Sequence, residues 1–260
     1  MEKISATTGW LWIKEGFALF RRQPAEMSTL FLSYMMLMLL VGIVPLLGQV
    51  LPLILIPTFS IAFMQACADI EAGRRVTPRL LATGFRSPAL VRLLILGTMY
   101  VVAASLAVAA SSLVDGGTFL SVMAGQSATD SKTIQESDMM SAMLVAALLY
   151  IPAAMAFWYA APLVAWHNMG VGKAVFYSFF AVLRASRAFF VYALAWLLIG
   201  VVLPVLVSSL AALVIGTPMV TILILLPMSI LLTVVMYCSF YPTYTHVFGR
   251  EMIPAPATSA

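Results

Sequence analysis

Residues 89–114 read ALVRLLILGTMYVVAASLAVAASSLV and carry one charged side chain, that of Arg92. A helix needs about 20 predominantly apolar residues to cross the hydrocarbon core of a bilayer, so this stretch predicts a membrane span. Five further apolar stretches predict five more spans, at about 27–45, 48–67, 140–166, 188–214 and 218–245. The sequence therefore predicts an all-α fold, a polytopic membrane bundle of six transmembrane helices.

The composition of the 260-residue chain agrees with this fold, because 63% of the residues are hydrophobic and only 9% are charged. Soluble domains carry about 25% charged residues, so a soluble catalytic domain of useful size is excluded. The first 22 residues include Lys14, Arg21 and Arg22 and lack the apolar core and cleavage site of a signal peptide. Cys67 and Cys238 lie in or beside apolar stretches, which indicates no disulfide framework.

The basic residues fall on one side of the predicted spans. Of the 14 lysines and arginines, 12 lie before the first span, after the sixth, or in the second and fourth connections, Arg92 lies just inside the third span on the same side, and Lys132 alone lies on the other side. The third connection, at 115–139, holds Lys132 with four acids: Asp115, Asp130, Glu136 and Asp138. Cytoplasmic loops carry an excess of lysine and arginine. We therefore expect both termini in the cytoplasm, a periplasmic loop at 115–139 and a flexible cytoplasmic tail at 248–260.

Three amphipathic segments, one before each pair of spans, carry most of the basic residues. The first is predicted to set Trp10, Ile13, Phe17 and Phe20 against Lys14, Ala18, Arg21 and Arg22. The second sets Arg79, Thr83 and Arg86 against Leu80, Leu81, Gly84 and Phe85, and the third sets Lys173, Tyr177 and Arg184 against Val175, Phe176, Phe179 and Leu183. An aromatic face beside a basic face is typical of a helix lying in the membrane interface. The alternative is a set of solvated connectors whose charge only reflects the cytoplasmic bias.

Short sequence matches indicate an internal repeat. Residues 17–21, FALFR, match residues 180–184, FAVLR, and Pro57-Thr-Phe matches Pro242-Thr-Tyr, with Pro162 in a comparable place. We therefore predict three pseudo-repeats within a single membrane domain, each an interfacial helix followed by two spans, at about 8–67, 76–166 and 171–247. The middle unit fits this pattern least well.

Residues 161–184, APLVAWHNMGVGKAVFYSFFAVLR, resemble a broad group of uncharacterised bacterial inner-membrane proteins with six helices. Residues 9–24, GWLWIKEGFALFRRQP, are similar to the start of one proteobacterial family in that group. The group distantly resembles the membrane domain attached to some glycerophosphodiester phosphodiesterases, although this chain has no phosphodiesterase domain. The resemblance implies the six-helix fold and a place in the bacterial inner membrane, and it brings no catalytic residues with it.

Signals for chemistry are weak. His167 and His246 are the two histidines, and two histidines without a ligand triplet do not specify a metal site. Both stay weak polar-site candidates, and whether they meet is open. No catalytic residue, cofactor or metal is predicted, so an enzyme is disfavoured. Nucleic-acid binding is disfavoured as well, because the basic and aromatic side chains are predicted on separate faces.

These observations favour a non-enzymatic inner-membrane protein that engages anionic lipids, and a protein partner, in envelope or lipid homeostasis. The arginines predicted to bind phosphate headgroups through paired N–H donors are Arg21, Arg22, Arg184 and Arg187. The alternative is a transporter or channel for a small or amphipathic molecule. No ionisable residue lies deep in a predicted span, which disfavours ion-coupled transport.

Small residues at four-residue spacing indicate close helix packing. They are Ala103, Ala107 and Ser111 in the third span, and Ala142 and Ala146 in the fourth. Such stripes let two helices approach closely in a membrane. Contact between these spans within one chain is the favoured interpretation, and a homodimer seam is the alternative.

The predicted orientation can be tested by cysteine labelling in intact cells. In a background with Cys67 and Cys238 replaced by serine, we expect Gly125→Cys to react with a membrane-impermeant maleimide from the periplasmic side. Gly73→Cys and Gly170→Cys should react only after the cells are opened, because the positive charge holds their loops in the cytoplasm. A membrane-permeant maleimide serves as the control for reactivity, and the reverse labelling pattern would contradict the predicted orientation.

Overall fold

The computed structural model describes residues 4–44, 48, 50–123, 138–215 and 218–250. Within these ranges it contains helices and no strand. The helices are α1 (Thr7–Arg22), α2 (Pro24–Gly42), α3 (Leu51–Glu71), α4 (Thr83–Arg86), α5 (Leu90–Asp115), α6 (Thr118–Met123), α7 (Met139–Phe157), α8 (Ala160–Trp166), α9 (Val171–Arg184), α10 (Ser186–Leu197), α11 (Leu203–Ile215) and α12 (Pro218–Phe248). A 3₁₀ turn (Pro78–Ala82) precedes α4, and a π-helical turn (Leu198–Val202) joins α10 to α11.

Among the described residues, six helical segments are long and apolar enough to cross a membrane. They are Pro24–Gly42, Leu51–Glu71, Leu90–Asp115, Met139–Trp166, Ser186–Ala211 and Leu223–Phe248. Each coincides with a predicted span apart from shifts of a few residues at its ends, so the predicted all-α bundle of six membrane helices is confirmed. Residues 124–137 of the predicted periplasmic loop, with Lys132, and residues 251–260 of the predicted tail lie outside the described residues.

Buried side chains concentrate at one end of the bundle. This basic end, as we call it, consists of residues 21–26, 69–92, 166–187 and 241–250, and it carries the described arginines. The largest buried cluster joins the parts of α2, α3, α5, α8 and α12 nearest to this end. At the opposite end the leucines are largely exposed, among them Leu39, Leu144, Leu148, Leu223 and Leu226. The described spans are therefore packed tightly at the basic end and loosely beyond it.

The fourth span bends between α7 and α8, four residues before Pro162. The Ser178 hydroxyl of α9 enters the helix there: it accepts the Tyr159 N–H (2.9 Å) and donates to the Met155 carbonyl (2.9 Å). These two backbone groups would otherwise bond each other in a continuous helix. A side chain inserted in this way is a recognised cause of helix bending. The hydrogen bonds fix α9 against the bend, with Ala174, Ser178 and Val182 as its buried face.

The first helix is held against α10 and α12 by two glycines. A Cβ on Gly9 would stand 2.1 Å from the Ala188 carbonyl oxygen, and a Cβ on Gly16 would stand 2.7 Å from Cβ of Ser239. The buried face of α1 consists of Gly9, Trp12, Ile13, Gly16, Leu19 and Phe20. Gly84 of α4 similarly lies directly on the backbone of Thr58 in α3. Small residues thus set the positions at which two of the short helices cross long ones.

The small residues of α5 and α7 and the two cysteines lie inside the protein. Ala107 and Ser111 of α5 and Ala142 and Ala146 of α7 are buried, and α5 and α7 pack along each other. The small-residue stripes therefore serve packing within the chain. Cys67 and Cys238 are buried free thiols, and the Cys67 Sγ lies 3.9 Å from the Cys238 carbonyl oxygen.

The predicted division of α1 into an aromatic face and a basic face is wrong. Trp10, Lys14, Phe17 and Arg21 are spaced by 4, 3 and 4 residues, so they share one side of the helix. That side is turned away from the protein, since Trp10 is 45% exposed and Lys14 and Arg21 are exposed as well. The protein-facing side is centred on Trp12, because only the glycines on that side allow α1 to approach its neighbours.

Gly16→Ala should destabilise the fold, because the added Cβ would stand 2.8 Å from Cα of Ser239. Overpacking of this kind costs about 1–3 kcal/mol, and we expect a matching fall in the thermal unfolding temperature in detergent. The control is Gly172→Ala in α9, where a Cβ would meet nothing within 4 Å. Equal unfolding temperatures for the two variants would contradict the close contact of α1 with α12.

Candidate functional site

A stripe of cationic and aromatic side chains runs along the outer side of α1. It consists of Trp10, Lys14, Phe17 and Arg21, and we call it the α1 stripe. The Lys14 ammonium lies over the Trp10 ring, 5.9 Å from its centroid. Stacking of a cation on an indole ring is favourable by about 0.5–1 kcal/mol at an exposed site. Phe17 is half-buried against the two buried clusters, so the outward surface of the stripe combines the Trp10 ring with the positive charge of Lys14 and Arg21.

A matching stripe occurs on α9. It consists of Lys173, Tyr177, Phe180 and Arg184, which have the same spacing as the α1 stripe, and we call it the α9 stripe. The Lys173 ammonium lies 5.7 Å from the Tyr177 ring centroid. All four side chains are exposed, and Phe176 beside them is 61% exposed. In both stripes an aromatic residue and a lysine are followed by a phenylalanine and an arginine. The aromatic residue precedes the lysine in the α1 stripe and follows it in the α9 stripe.

The carboxylates at the basic end are already paired within the protein. Asp69 binds Arg74 at 2.6 Å, Glu26 binds Arg75 at 3.2 Å, and Glu71 binds Arg250 at 2.9 Å. The Tyr241 hydroxyl also donates to Glu71 at 2.7 Å. Arg92 donates instead to the backbone carbonyls of Asn168 and Met169, at 2.9 and 3.2 Å, and to the Asn168 side chain. These basic residues therefore hold loops together.

Six arginines at the basic end form no hydrogen bond or ion pair with any described residue. All six are exposed: Arg21, Arg22, Arg79, Arg86, Arg184 and Arg187. Four of them, Arg21, Arg22, Arg184 and Arg187, are the arginines predicted from the sequence to bind headgroups. Arg21 and Arg184 end the two stripes, and Arg187 stands in the first turn of α10. Arg22 borders a hollow of about 140 Å³ between α1 and α12 that Glu15, Glu71 and Arg250 also line. The charge left unpaired among the described residues of this end is thus largely positive.

The two histidines serve separate contacts, and no hydrogen bond joins them. His246 of α12 accepts the Trp12 indole N–H at its Nδ1 (2.8 Å), and its Nε2 lies 3.6 Å from a Glu15 carboxylate oxygen. Because Nδ1 accepts, the neutral tautomer of His246 carries its proton on Nε2 and directs it to Glu15. The ring thus connects two side chains of α1 to α12, which is a structural role.

His167 lies in the turn after α8, where its Nε2 is 2.6 Å from the Tyr244 hydroxyl. Burial lowers the pKa of His167, since desolvation disfavours the charged imidazolium. The neutral ring can accept a hydrogen bond from Tyr244. Among the described residues, no group of three or more histidine, cysteine, aspartate or glutamate side chains is arranged to hold a metal ion.

Three of the residues that position this surface were not found from the sequence. Each acts through hydrogen bonds to residues distant in the sequence. The partner of Trp12 lies 234 positions away, those of Ser178 lie 19 and 23 positions away, and those of Arg92 lie 76 and 77 positions away. No local spacing indicates such contacts. The match of residues 17–21 to residues 180–184 indicated part of the repeated order of the two stripes. The stripes themselves were missed because the aromatic and the basic residues of each segment were predicted to lie on different faces.

The chain is similar over nearly its whole length to a protein from Burkholderia thailandensis that is described as a probable inner membrane protein. The two are 41% identical over 263 residues, which cover 98% of this chain and 96% of the relative. No family model matches the chain. No solved structure matches it either.

Loss of the Trp12–His246 hydrogen bond should weaken the attachment of α1. We expect Trp12→Phe to lower the free energy of unfolding by about 1 kcal/mol or more, because the bond is lost and His246 keeps an unsatisfied acceptor. Trp10→Phe is the matched control, since Trp10 is exposed on the outer side of the same helix. Unfolding in detergent measures both, and equal losses in the two variants would contradict the role of Trp12.

Proposed function

The chain belongs to the family of bacterial inner-membrane proteins that includes its Burkholderia thailandensis relative, and we propose that it binds anionic phospholipids at its cytoplasmic face. It is a multi-pass inner-membrane protein, and six helices in the described part of the chain are long and apolar enough to span a membrane. The proposal includes two predictions from the sequence: both termini lie in the cytoplasm, and α1, the Pro78–Arg86 segment and α9 lie in the membrane interface.

The observation that carries the proposal is the pair of matching stripes. The α1 stripe exposes the Trp10 ring and the α9 stripe exposes two rings, each beside a lysine and an arginine, and neither arginine has a partner among the described residues. Aromatic rings are favoured at the headgroup level of a membrane. A basic residue near an anionic leaflet contributes about 1 kcal/mol of attraction. The stripes therefore suit a surface at which hydrocarbon and phosphate adjoin.

The chemistry of the free arginines suits phosphate. An arginine presents its N–H donors as a planar fork that binds a phosphate through two parallel hydrogen bonds. Arg21 and Arg22 are adjacent at the end of α1, and Arg184 and Arg187 flank the junction of α9 with α10. Each pair stands directly before a predicted span, the depth at which headgroups lie.

The alternative function, a transporter or channel, has less support. A cavity of about 210 Å³ among the described spans has largely apolar walls, and such a space does not favour passage of a polar solute. The distant resemblance to the membrane domain attached to some glycerophosphodiester phosphodiesterases stays a prediction, and so do a protein partner, a homodimer and a role in envelope or lipid homeostasis.

The proposal can be tested by replacing Arg21, Arg22, Arg184 and Arg187 together with glutamine. We expect the affinity for phosphatidylglycerol over phosphatidylcholine, measured by native mass spectrometry of lipids retained in detergent, to fall by more than about tenfold, because four attractive contributions are lost. The bundle should stay folded, since none of the four side chains contacts a described residue through a hydrogen bond or ion pair.

The matched control replaces the same four arginines with lysine. That variant keeps the charge and loses the fork of donors, so it should retain the preference for anionic lipid in part. If the glutamine variant retains phosphatidylglycerol as the wild-type protein does, the arginines have no headgroup role.

A further inference from the structure

A cavity of about 210 Å³ lies inside the bundle, where one span from each predicted pseudo-repeat contributes to its wall. The contributing elements are α3, the α7–α8 bend and α12, with Tyr100 of α5 completing the lining. Its inner part is formed by buried side chains, which include Phe63, Tyr159 and Pro162. For comparison, an apolar cavity of about 150 Å³ in another protein accommodates benzene and stays free of water.

The polar atoms around the cavity are largely engaged with the backbone. The hydroxyls of Ser60, Tyr100 and Tyr159 donate to the carbonyls of Pro57, Phe157 and Thr243, at 2.8, 3.0 and 3.0 Å. The Thr243 hydroxyl donates to the Phe240 carbonyl and receives the Trp158 indole N–H at 3.4 Å. A water molecule needs two to four polar partners to be held in a cavity. These walls therefore favour a hydrocarbon occupant over water or a polar solute.

The mouth of the cavity opens between spans rather than at an end of the bundle. Ile56, at the mouth, is 38% exposed, and Tyr150 and Ala154 beside it are partly exposed. Neither α3 nor α12 packs extensively on α7, so the surface beyond the mouth is the exposed apolar face of membrane spans. In a bilayer that surface is covered by lipid chains, which are thus the molecules adjoining the opening.

We propose that this cavity binds one acyl chain of a bilayer phospholipid, which enters between α3 and α7 and ends against Phe63 and Pro162. The Tyr150 hydroxyl, which bonds no other described residue, stands at the entrance. This inference deepens the proposed function and rests on it only in taking lipid as the ligand, because the cavity recognises the chain and the arginines recognise the headgroup.

The test uses fluorescence quenching of Trp158, which lines the cavity. The full-length protein is placed in nanodiscs of phosphatidylcholine whose acyl chains carry bromine near the terminal carbons. The quenching due to Trp158 is the difference between a protein with this tryptophan and the same protein with Trp158→Phe. We expect strong quenching in the wild-type protein and loss of most of it in Ala154→Phe, which fills the mouth.

The matched control is Leu148→Phe, on the exposed side of the same helix, and it should leave the quenching unchanged. If Ala154→Phe does not fold, as judged by its thermal unfolding, the smaller Ala154→Leu replaces it. Quenching that is absent in the wild-type protein, or unaltered in a folded Ala154 variant, would overturn the proposal.

The same measurement separates this proposal from the headgroup proposal. Phosphatidylcholine has no net charge, so the variant with glutamine at positions 21, 22, 184 and 187 should show wild-type quenching. Loss of its phosphatidylglycerol preference with intact quenching would support both sites. Intact phosphatidylglycerol preference in that variant would remove the headgroup site alone, and unaltered quenching in the Ala154 variant would remove the chain site alone.

Discussion

Three contacts hold the short helices in place: Gly16 of α1 on Ser239 of α12, Gly84 of α4 on Thr58 of α3, and Ser178 of α9 in the bend of the fourth span. Lipid is as apolar as leucine, so helices in a bilayer are joined by close packing and hydrogen bonds rather than by the hydrophobic effect. A glycine or an inserted hydroxyl supplies such a contact where a larger side chain would hold the backbones apart. The short helices α4 and α9 each contact the second span of the preceding pseudo-repeat. The first short helix, α1, contacts α12, which is the second span of the last pseudo-repeat. The outward direction of both stripes depends on this arrangement.

The same contacts account for the uneven packing of the bundle. They draw α3, α8 and α12 together near Pro57, Pro162 and Pro242, and the largest buried cluster forms around them. Beyond that region α7 packs mainly on α5 while α12 packs on α11, so the spans separate toward the opposite end. The cavity lies where the tight packing gives way to the loose packing. Its walls are largely apolar. A backbone carbonyl released by the bend needs a partner in a medium without water, and the hydroxyls of Tyr100 and Ser178 supply it to Phe157 and Met155.

Hydropathy was sufficient to predict the six spans, because a bilayer imposes a minimum length and an apolar composition on each. The small residues of α5 and α7 likewise indicated a contact that the structure contains. The faces of α1 were predicted wrongly, since Trp10, Ile13, Phe17 and Phe20 were expected to share a side, whereas Ile13 and Phe20 are buried against the protein and Trp10 faces outward. Two features distinguish Trp12, which faces the protein, from Trp10. Gly9 and Gly16, three residues before and four after Trp12, lie on its side of the helix and are a local signal in the sequence, whereas its partner His246 lies at the far end of the chain and is known only from the tertiary structure.

The arginines at the basic end fall into two groups, those bonded within the protein and those without a described partner, which the composition alone does not distinguish. Arg74, Arg75, Arg92 and Arg250 are engaged by carboxylates or carbonyls of neighbouring loops, and their loss would act on the fold. The six arginines without described partners are exposed, so the protein itself does not need them at those positions for packing. A surface ion pair contributes about 0–1 kcal/mol at best, so leaving the arginines unpaired sacrifices little stability. Their hydrogen-bonding capacity is left unused by the described residues, and the proposed binding of an anionic headgroup would use it, with the exposed rings of the two stripes beside Arg21 and Arg184.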